Sequence, residues 1–155
     1  MIRRIATFAL SATAAVLLMA MMGLTVADVV GRYLFNSPVP GAFEATEIML
    51  ALAIFAGLPL VTARGEHIQV RLLLDQLPGA AVWLLERLAD TLVFLLLTGT
   101  AWLLYRRGED LAAFGDSTIL LGIPLAPVAF ALSALTGLAA LVAAVRAIRR
   151  LKGLT

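Results

Sequence analysis

Long apolar stretches separated by short polar segments dominate the chain, at about 5–27, 43–63, 82–105 and 119–145. A helix needs about 20 predominantly apolar residues to cross a bilayer, and each stretch reaches or approaches that length. The pattern therefore predicts an all-α integral membrane protein with four transmembrane helices. Nothing else in the chain is long enough for a soluble domain, so residues 1–155 form a single membrane domain in this interpretation.

The first stretch has an alternative interpretation as a cleaved signal peptide, because Arg3 and Arg4 precede its apolar run. The apolar segment of a signal peptide has roughly 7–15 residues, and the run from Ile5 to Ala27 is longer. We therefore predict a retained first span.

Residues 68–77 differ from the four stretches because polar groups interrupt the apolar ones. Arg71 and Asp75 stand among five leucine, isoleucine and valine residues before Leu77 and Pro78. At 3.6 residues per turn the polar groups partly segregate, which favours a short amphipathic helix lying at the membrane interface between the second and third spans.

Composition strengthens the membrane interpretation and excludes several functions. The chain is 62% hydrophobic and 14% charged, with a mean hydropathy of +1.00, whereas a soluble domain is nearer half apolar and a quarter charged. Without cysteine and with one histidine, it offers no thiolate chemistry and no pair of imidazoles for haem. No nucleophile–base pair and no phosphate-binding glycine loop is recognisable, so we expect no enzyme, no cofactor and no metal site. The basic residues flank apolar runs and do not form a nucleic-acid-binding stripe.

The distribution of those basic residues predicts the orientation. With four spans, one side of the membrane carries nine of them and the other carries only Arg32, Arg106 and Arg107. The nine are Arg3, Arg4, Arg64, Arg71, Arg87, Arg146, Arg149, Arg150 and Lys152. The positive-inside rule then places both termini in the cytoplasm. The turn at 32–47 and the polar connection at 106–116 would face the opposite side, with Arg106, Arg107, Glu109 and Asp110 as candidate contact residues of that connection.

Ionisable residues at the ends of the second span are the main functional candidates. Asp28 and Arg32 stand four apart and can pair along one helix face, or simply end the helix in solvent. Glu44 and Glu47 lie on one face of the second helix and form either a proton or cation site or a structural pair meeting Arg32 or a partner's basic group. We favour the structural pair, since no carboxylate deeper in a span continues a relay.

His67 follows Arg64 at the other end of the second span. A lone histidine there is either a pH switch or, more commonly, a residue that caps helix carbonyls or binds a neighbouring loop.

Taken together, these motifs and their order resemble one family of membrane proteins, the small (Q-type) membrane subunits of tripartite ATP-independent periplasmic (TRAP) transporters. The resemblance covers nearly the whole chain in length and number of spans. Two departures are Arg71, where the family is often acidic, and Phe43 and Phe55, where it often has tryptophan. The motifs that carry the resemblance are Arg32-Tyr33-Leu34-Phe35-Asn36-Ser37-Pro38, Glu44 with Glu47, Arg64-Gly65-Glu66-His67-Ile68-Gln69-Val70, and Ser117–Pro124 followed by Pro127.

The resemblance implies a non-catalytic subunit of the bacterial inner membrane. Its partners would be a much larger multi-span membrane subunit, a periplasmic substrate-binding protein and membrane lipid. The larger subunit would import an organic acid with a sodium gradient while the small one supports it as a scaffold. The candidate assembly contacts are Arg32, Tyr33, Asn36, Pro38, Glu44, Glu47, Arg64 and His67.

Two other classes are alternatives. A self-sufficient four-helix proton-coupled transporter needs an acidic residue near the middle of a span, and the span centres here carry no charge. A cytochrome-type anchor needs haem ligands within the membrane, which a single His67 at the membrane edge does not supply.

Overall fold

Four helices make up the fold in a computed structural model that describes residues 2–64 and 79–151. They are α1 (Ile2–Leu34), α2 (Ala42–Arg64), α3 (Gly79–Phe114) and α4 (Leu125–Leu151). Each contains a segment long and apolar enough to cross a membrane: Phe8–Leu34, Ala42–Ala63, Ala81–Phe114 and Leu125–Ile148. The prediction of an all-α protein with four membrane-length helices is confirmed.

Helix α3 is longer than its apolar pattern predicts. The interpretation of 106–116 as a polar connection is wrong over most of its length, because the helix continues to Phe114 and carries Arg106, Arg107, Glu109 and Asp110 in its last turns. No proline interrupts this helix, which ends just before Gly115, a residue with a left-handed φ of 68°. The same region places the start of α4 at Leu125, later than the predicted 119. Gly122 has a positive φ, and Ile123 precedes Pro124, where helical geometry is disfavoured.

The predicted amphipathic helix at 68–77 lies outside the described residues, as does His67. Arg64 is the last residue of α2.

The helices pack in the order α1–α2–α4–α3. Helix α2 contacts α1 on one side and α4 on the other, and α3 packs only against α4 to any extent among the described residues. Sequence neighbours therefore form two hairpins that are joined through α2 and α4. The result is an open row and not a closed four-helix bundle.

Small side chains line the contacts within this row. The buried positions of α2 and α4 are mostly alanines, among them Ala56 and Ala139, together with Pro59, Thr62 and Thr136. Each of these threonines donates its hydroxyl to the carbonyl four residues earlier, on Leu58 and Leu132, so no buried hydroxyl is left unsatisfied there. Small residues let helix backbones approach closely, which is how helices associate where lipid removes the hydrophobic driving force.

Polar side chains also tie neighbouring helices together through main-chain carbonyls. Ser133 on α4 donates to the Ala101 carbonyl of α3 at 2.8 Å. Arg146 on α4 donates to the Thr62 carbonyl at 2.7 Å. Thr62 lies in the last turn of α2, where carbonyls lack helical partners and a cation is favoured, so Arg146 satisfies the end of α2 from a different helix.

Gly108 on α3 brings α3 and α4 close together near the other end of the row. A Cβ atom at this buried position would lie 2.7 Å from a ring carbon of Phe130 on α4. The Phe130 ring in turn packs at a tilt against Tyr105, with centroids 5.6 Å apart. The contact therefore has no room for a side chain on Gly108.

We expect Gly108→Ala to destabilise the protein by about 1–3 kcal/mol, because the added methyl group must displace the Phe130 ring. The matched control is Gly99→Ala on the same helix, where a Cβ atom meets nothing within 4 Å. The control should change stability by less than about 1 kcal/mol, in the stabilising direction. Thermal unfolding in mild detergent measures both. Equal melting temperatures for the two variants would contradict the packing described for Gly108.

Candidate functional site

The two short connections of the fold meet at one end of the row. The first is the turn at 35–41 between α1 and α2, and the second is the loop at 115–124 between α3 and α4. We call them together the paired loops. They contain or adjoin most of the candidate residues predicted from the sequence, so the site is built from them.

The turn at 35–41 folds back tightly on the end of α1. Phe35 and Ser37 both donate their N–H groups to the Gly31 carbonyl, at 3.2 and 3.0 Å. Asn36 takes a positive φ of 50°, a conformation that asparagine tolerates better than most residues. A Cβ atom on Gly31 would lie 2.6 Å from the Ser37 carbonyl oxygen, so this close return of the chain requires glycine.

Asp28 fastens the same turn to α1. One carboxylate oxygen accepts the N–H of Val39 at 2.9 Å and the other accepts a hydrogen from the Arg32 guanidinium at 2.8 Å. The Asp28 side chain is only 18% exposed, whereas that of Arg32 is 60% exposed. The predicted pair of Asp28 with Arg32 is thus confirmed. Asp28 also supplies the acceptor for the main-chain N–H of Val39 in the turn.

Sequence reasoning also offered Arg32 as a partner of Glu44 or Glu47, and this is wrong. Within the described residues the Arg32 guanidinium is engaged by Asp28, one helical turn away on α1. An i, i+4 partner on the same helix needs no tertiary contact and so takes precedence over a carboxylate on the next helix.

The loop at 115–124 is held in shape by its own main chain. Gly115 ends α3, with the Asp116 N–H donating to the Leu111 carbonyl at 3.1 Å. Thr118 donates its N–H to the Ile123 carbonyl, and its hydroxyl accepts the Ile123 N–H, both at 3.0 Å. The main-chain carbonyl of Asp116 accepts the N–H of Leu125 at 3.0 Å, so the two ends of the loop are joined.

Glu44 binds the tip of this loop from α2. Its Oε1 accepts the N–H of Leu120 at 2.9 Å and its Oε2 accepts the N–H of Leu121 at 3.0 Å. Two consecutive main-chain donors thereby receive a carboxylate oxygen each, in charge-assisted hydrogen bonds. These N–H groups point out of the loop and have no partner within it among the main-chain bonds described above.

Gly41 and Leu121 complete the contact between the paired loops. Gly41 is buried with a φ of 74°, and a Cβ atom there would overlap Cγ of Leu121. A side chain at position 41 would therefore be strained in its backbone and would collide with Leu121. The glycine allows the turn and the loop to pack directly on each other.

Apart from Arg64 at the other end of α2, the remaining candidates that the structure describes are exposed. Tyr33 is 81% exposed, and Asn36, Pro38, Glu47, Arg107 and Asp110 are also exposed. Arg106 lies 3.6 Å from Glu109 in a pair that solvent reaches on both sides. A surface pair of this kind contributes little to stability. Of Glu44 and Glu47, only Glu44 forms hydrogen bonds with the paired loops.

A shallow groove of about 430 Å³ opens between α1, α2 and the turn. Asp28 and Arg32 lie at its wall with Phe43 and Thr46, and most of the lining is apolar. Among the residues that the structure describes, no group of three histidine, aspartate or glutamate side chains could hold a metal ion. At this end of the row, main-chain N–H groups donate hydrogen bonds to the carboxylates of Asp28 and Glu44, and Arg32 pairs with Asp28.

Sequence reasoning missed Leu120 and Leu121 as the partners of Glu44. The two contacts join residues 76 and 77 positions apart, and main-chain donors leave no side-chain signature. The sequence predicted a connection only at 106–116 and a span from 119, so it indicated neither the full extent of this loop nor the side chain that binds it.

Four helices are long and apolar enough to cross a membrane, and Asp28 and Glu44 supply hydrogen-bond acceptors to main-chain N–H groups of the loops that join them. These features are those of a multi-pass membrane protein. A sequence model described as "Tripartite ATP-independent periplasmic transporters, DctQ component" matches residues 21–153. The chain belongs to this DctQ family, a component of TRAP transporters. The resemblance noted from the sequence motifs is thereby confirmed. A comparison with individually curated proteins finds no match.

We expect Glu44→Gln to loosen the loop at 115–124, because an amide offers one acceptor where the carboxylate offers two and removes the charge from both hydrogen bonds. The amide hydrogens of Leu120 and Leu121 report this directly, and their exchange should accelerate about tenfold. Hydrogen exchange of the isolated subunit in detergent is the measurement. Glu47→Gln, on the same helix but outside the contact, is the matched control and should leave exchange at both amides unchanged. Unaltered exchange in Glu44→Gln would show that the loop holds its shape without Glu44.

Proposed function

We propose that this chain is the small, non-catalytic membrane subunit of a TRAP transporter and serves as a scaffold for a much larger multi-span membrane subunit. The larger subunit would carry the substrate, an organic acid, and couple its import to a sodium gradient. A periplasmic substrate-binding protein would deliver the acid. The family membership supports the transporter component, and the scaffold role is argued from the structure.

The open row of helices is the observation that carries the scaffold role. Four helices arranged as α1–α2–α4–α3 do not enclose a path for a solute. Among the described side chains, α1 has no buried residue, and α3 has only Gly108 and Leu111, both near its end. Large apolar side chains such as Met19, Leu95 and Leu96 are more than half exposed along both helices. Such a surface suits contact with lipid and with another membrane protein, and it offers no enclosed site for a solute.

The chemistry of the carboxylates disfavours the alternative, a self-sufficient proton-coupled transporter. Such a protein needs an acidic residue that exchanges a proton with substrate near the middle of a span. Glu44 is committed to the Leu120 and Leu121 amides at a helix end. Glu47 lies only one turn further in, and the centre of α2 carries no ionisable residue.

The orientation in this proposal follows the nine-to-three split of basic residues. The paired loops would face the periplasm, and both termini would be cytoplasmic in the bacterial inner membrane. The paired loops are internally bonded and held by Asp28 and Glu44, so they present a preformed surface. That surface is then on the side from which a substrate-binding protein would approach.

We expect a tagged form of the chain, extracted from its native membrane in mild detergent, to bring down a much larger multi-span protein in a fixed ratio. Deleting the chain should abolish sodium-dependent uptake of the organic acid, and restoring it should return uptake. Mass spectrometry of the purified complex and uptake assays in cells are the measurements.

A homo-oligomer that moves solute alone in liposomes would overturn the scaffold role and favour the proton-coupled alternative. In that case Glu47→Gln would abolish transport without changing protein yield. The scaffold proposal expects no transport by the isolated subunit, whichever residue occupies position 47.

A further inference from the structure

Glu47 is an exposed carboxylate within a membrane-length helix. It lies in the segment Ala42–Ala63 of α2 and is exposed, whereas Glu44 one turn earlier is half-buried against the loop. No hydrogen bond or ion pair joins Glu47 to another group in the part of the chain that the structure describes. The nearby cation of α1, Arg32, is held by Asp28.

The depth of Glu47 makes this exposure costly in lipid. Glu44 binds the loop at one end of α2, and the Thr62 carbonyl receives Arg146 at the other. Eighteen residues separate the two contacts, or roughly 27 Å at about 1.5 Å per residue, which is less than the hydrocarbon core of about 30 Å. Glu47 is about 4.5 Å further along α2 than Glu44, inside the apolar segment Ala42–Ala63, so a bilayer spanned by that segment would reach it. A carboxylate at that depth is stabilised by a partner of opposite charge.

Glu47 also belongs to a continuous exposed stripe on α2. The exposed residues of this helix are Phe43, Glu47, Leu50, Ile54 and Val61, at intervals of three, four or seven. These intervals place them on one helix face. Gly57 completes the stripe, and a Cβ atom there would meet nothing within 4 Å. The opposite face of α2 is buried by the row through Ala53, Ala56 and Thr62.

We propose that this α2 stripe is the face that contacts the larger membrane subunit and that a basic side chain of that subunit pairs with Glu47. The inference rests on the proposed scaffold function and adds the face and the chemistry of the contact. Charge complementarity selects the occupant, since a lone carboxylate inside the apolar layer is matched by a lysine or arginine presented at the same depth. The apolar residues on either side of Glu47 would exclude water from the pair.

Cross-linking tests the face. A photoreactive phenylalanine analogue in place of Leu50 or Ile54 should cross-link to the larger subunit within the native complex. The matched controls carry the analogue in place of Leu95 or Leu96 on α3, which are each 61% exposed and therefore more exposed than Leu50 at 44%. Cross-links from the α3 positions and none from α2 would overturn the assignment. Cross-links from α2 to lipid only would overturn it equally.

Charge substitution tests the pair. Glu47→Gln should reduce the larger subunit that co-purifies by at least about tenfold, because it leaves a buried cation without its partner. Glu47→Lys should reduce it further, and replacing the cross-linked basic residue of the partner by glutamate should restore it. Glu109→Gln, which removes an exposed carboxylate of α3, is the control and should leave the yield unchanged.

The two levels of the proposal fail in different ways. If the unaltered chain brings down no larger subunit, the scaffold function is wrong. If it does so and Glu47→Gln binds as well as the unaltered chain, only the ion pair is wrong. The melting temperature of the isolated subunit separates binding from folding, since Glu47→Gln should leave it unchanged. A loss of complex accompanied by an equal loss of subunit stability would assign Glu47 a structural role instead.

Discussion

The Glu44 carboxylate, bound to the main-chain N–H groups of Leu120 and Leu121, is the interaction on which the paired-loop end depends. Main-chain donors at a membrane edge must be satisfied by protein or by water, and a loop tip has few protein groups within reach. Glu44 supplies both acceptors from a neighbouring helix. It thereby connects the α3–α4 hairpin to α2 at a distance of some 76 residues along the chain.

Asp28 plays the corresponding part for the other connection. Its two oxygens hold Val39 and Arg32, so the turn at 35–41 is tied to α1 just as the loop at 115–124 is tied to α2. Gly41 then allows the two connections to touch, because any side chain there would meet Leu121. At the opposite end Arg146 binds the Thr62 carbonyl and joins α4 to α2. An open row of helices is consequently braced at both ends, while the middle relies on small residues such as Ala56 and Ala139.

This arrangement separates two glutamates that look equivalent in the sequence. Glu44 accepts hydrogen bonds from the loop, whereas the side chain of Glu47 is exposed on the same helix. The two side chains are about 60° apart around the helix axis and one turn apart along it, which is enough to give them different neighbours. The exposed face of α2 that carries Glu47 is the surface we propose for contact with another transporter component.

The sequence by itself determined the four membrane-length helices and the family, because apolar run length and motif order can be read along the chain. It offered the Asp28–Arg32 pair as one of two alternatives, from their i, i+4 spacing. It also predicted the turn that contains Asn36. Only the tertiary structure decided the order α1–α2–α4–α3 and the partners of Glu44 and Arg146. Helix packing in lipid depends on small residues found along every span, which do not specify neighbours. Main-chain amides and carbonyls occur at nearly every residue, so a side chain that binds one leaves no pattern to read.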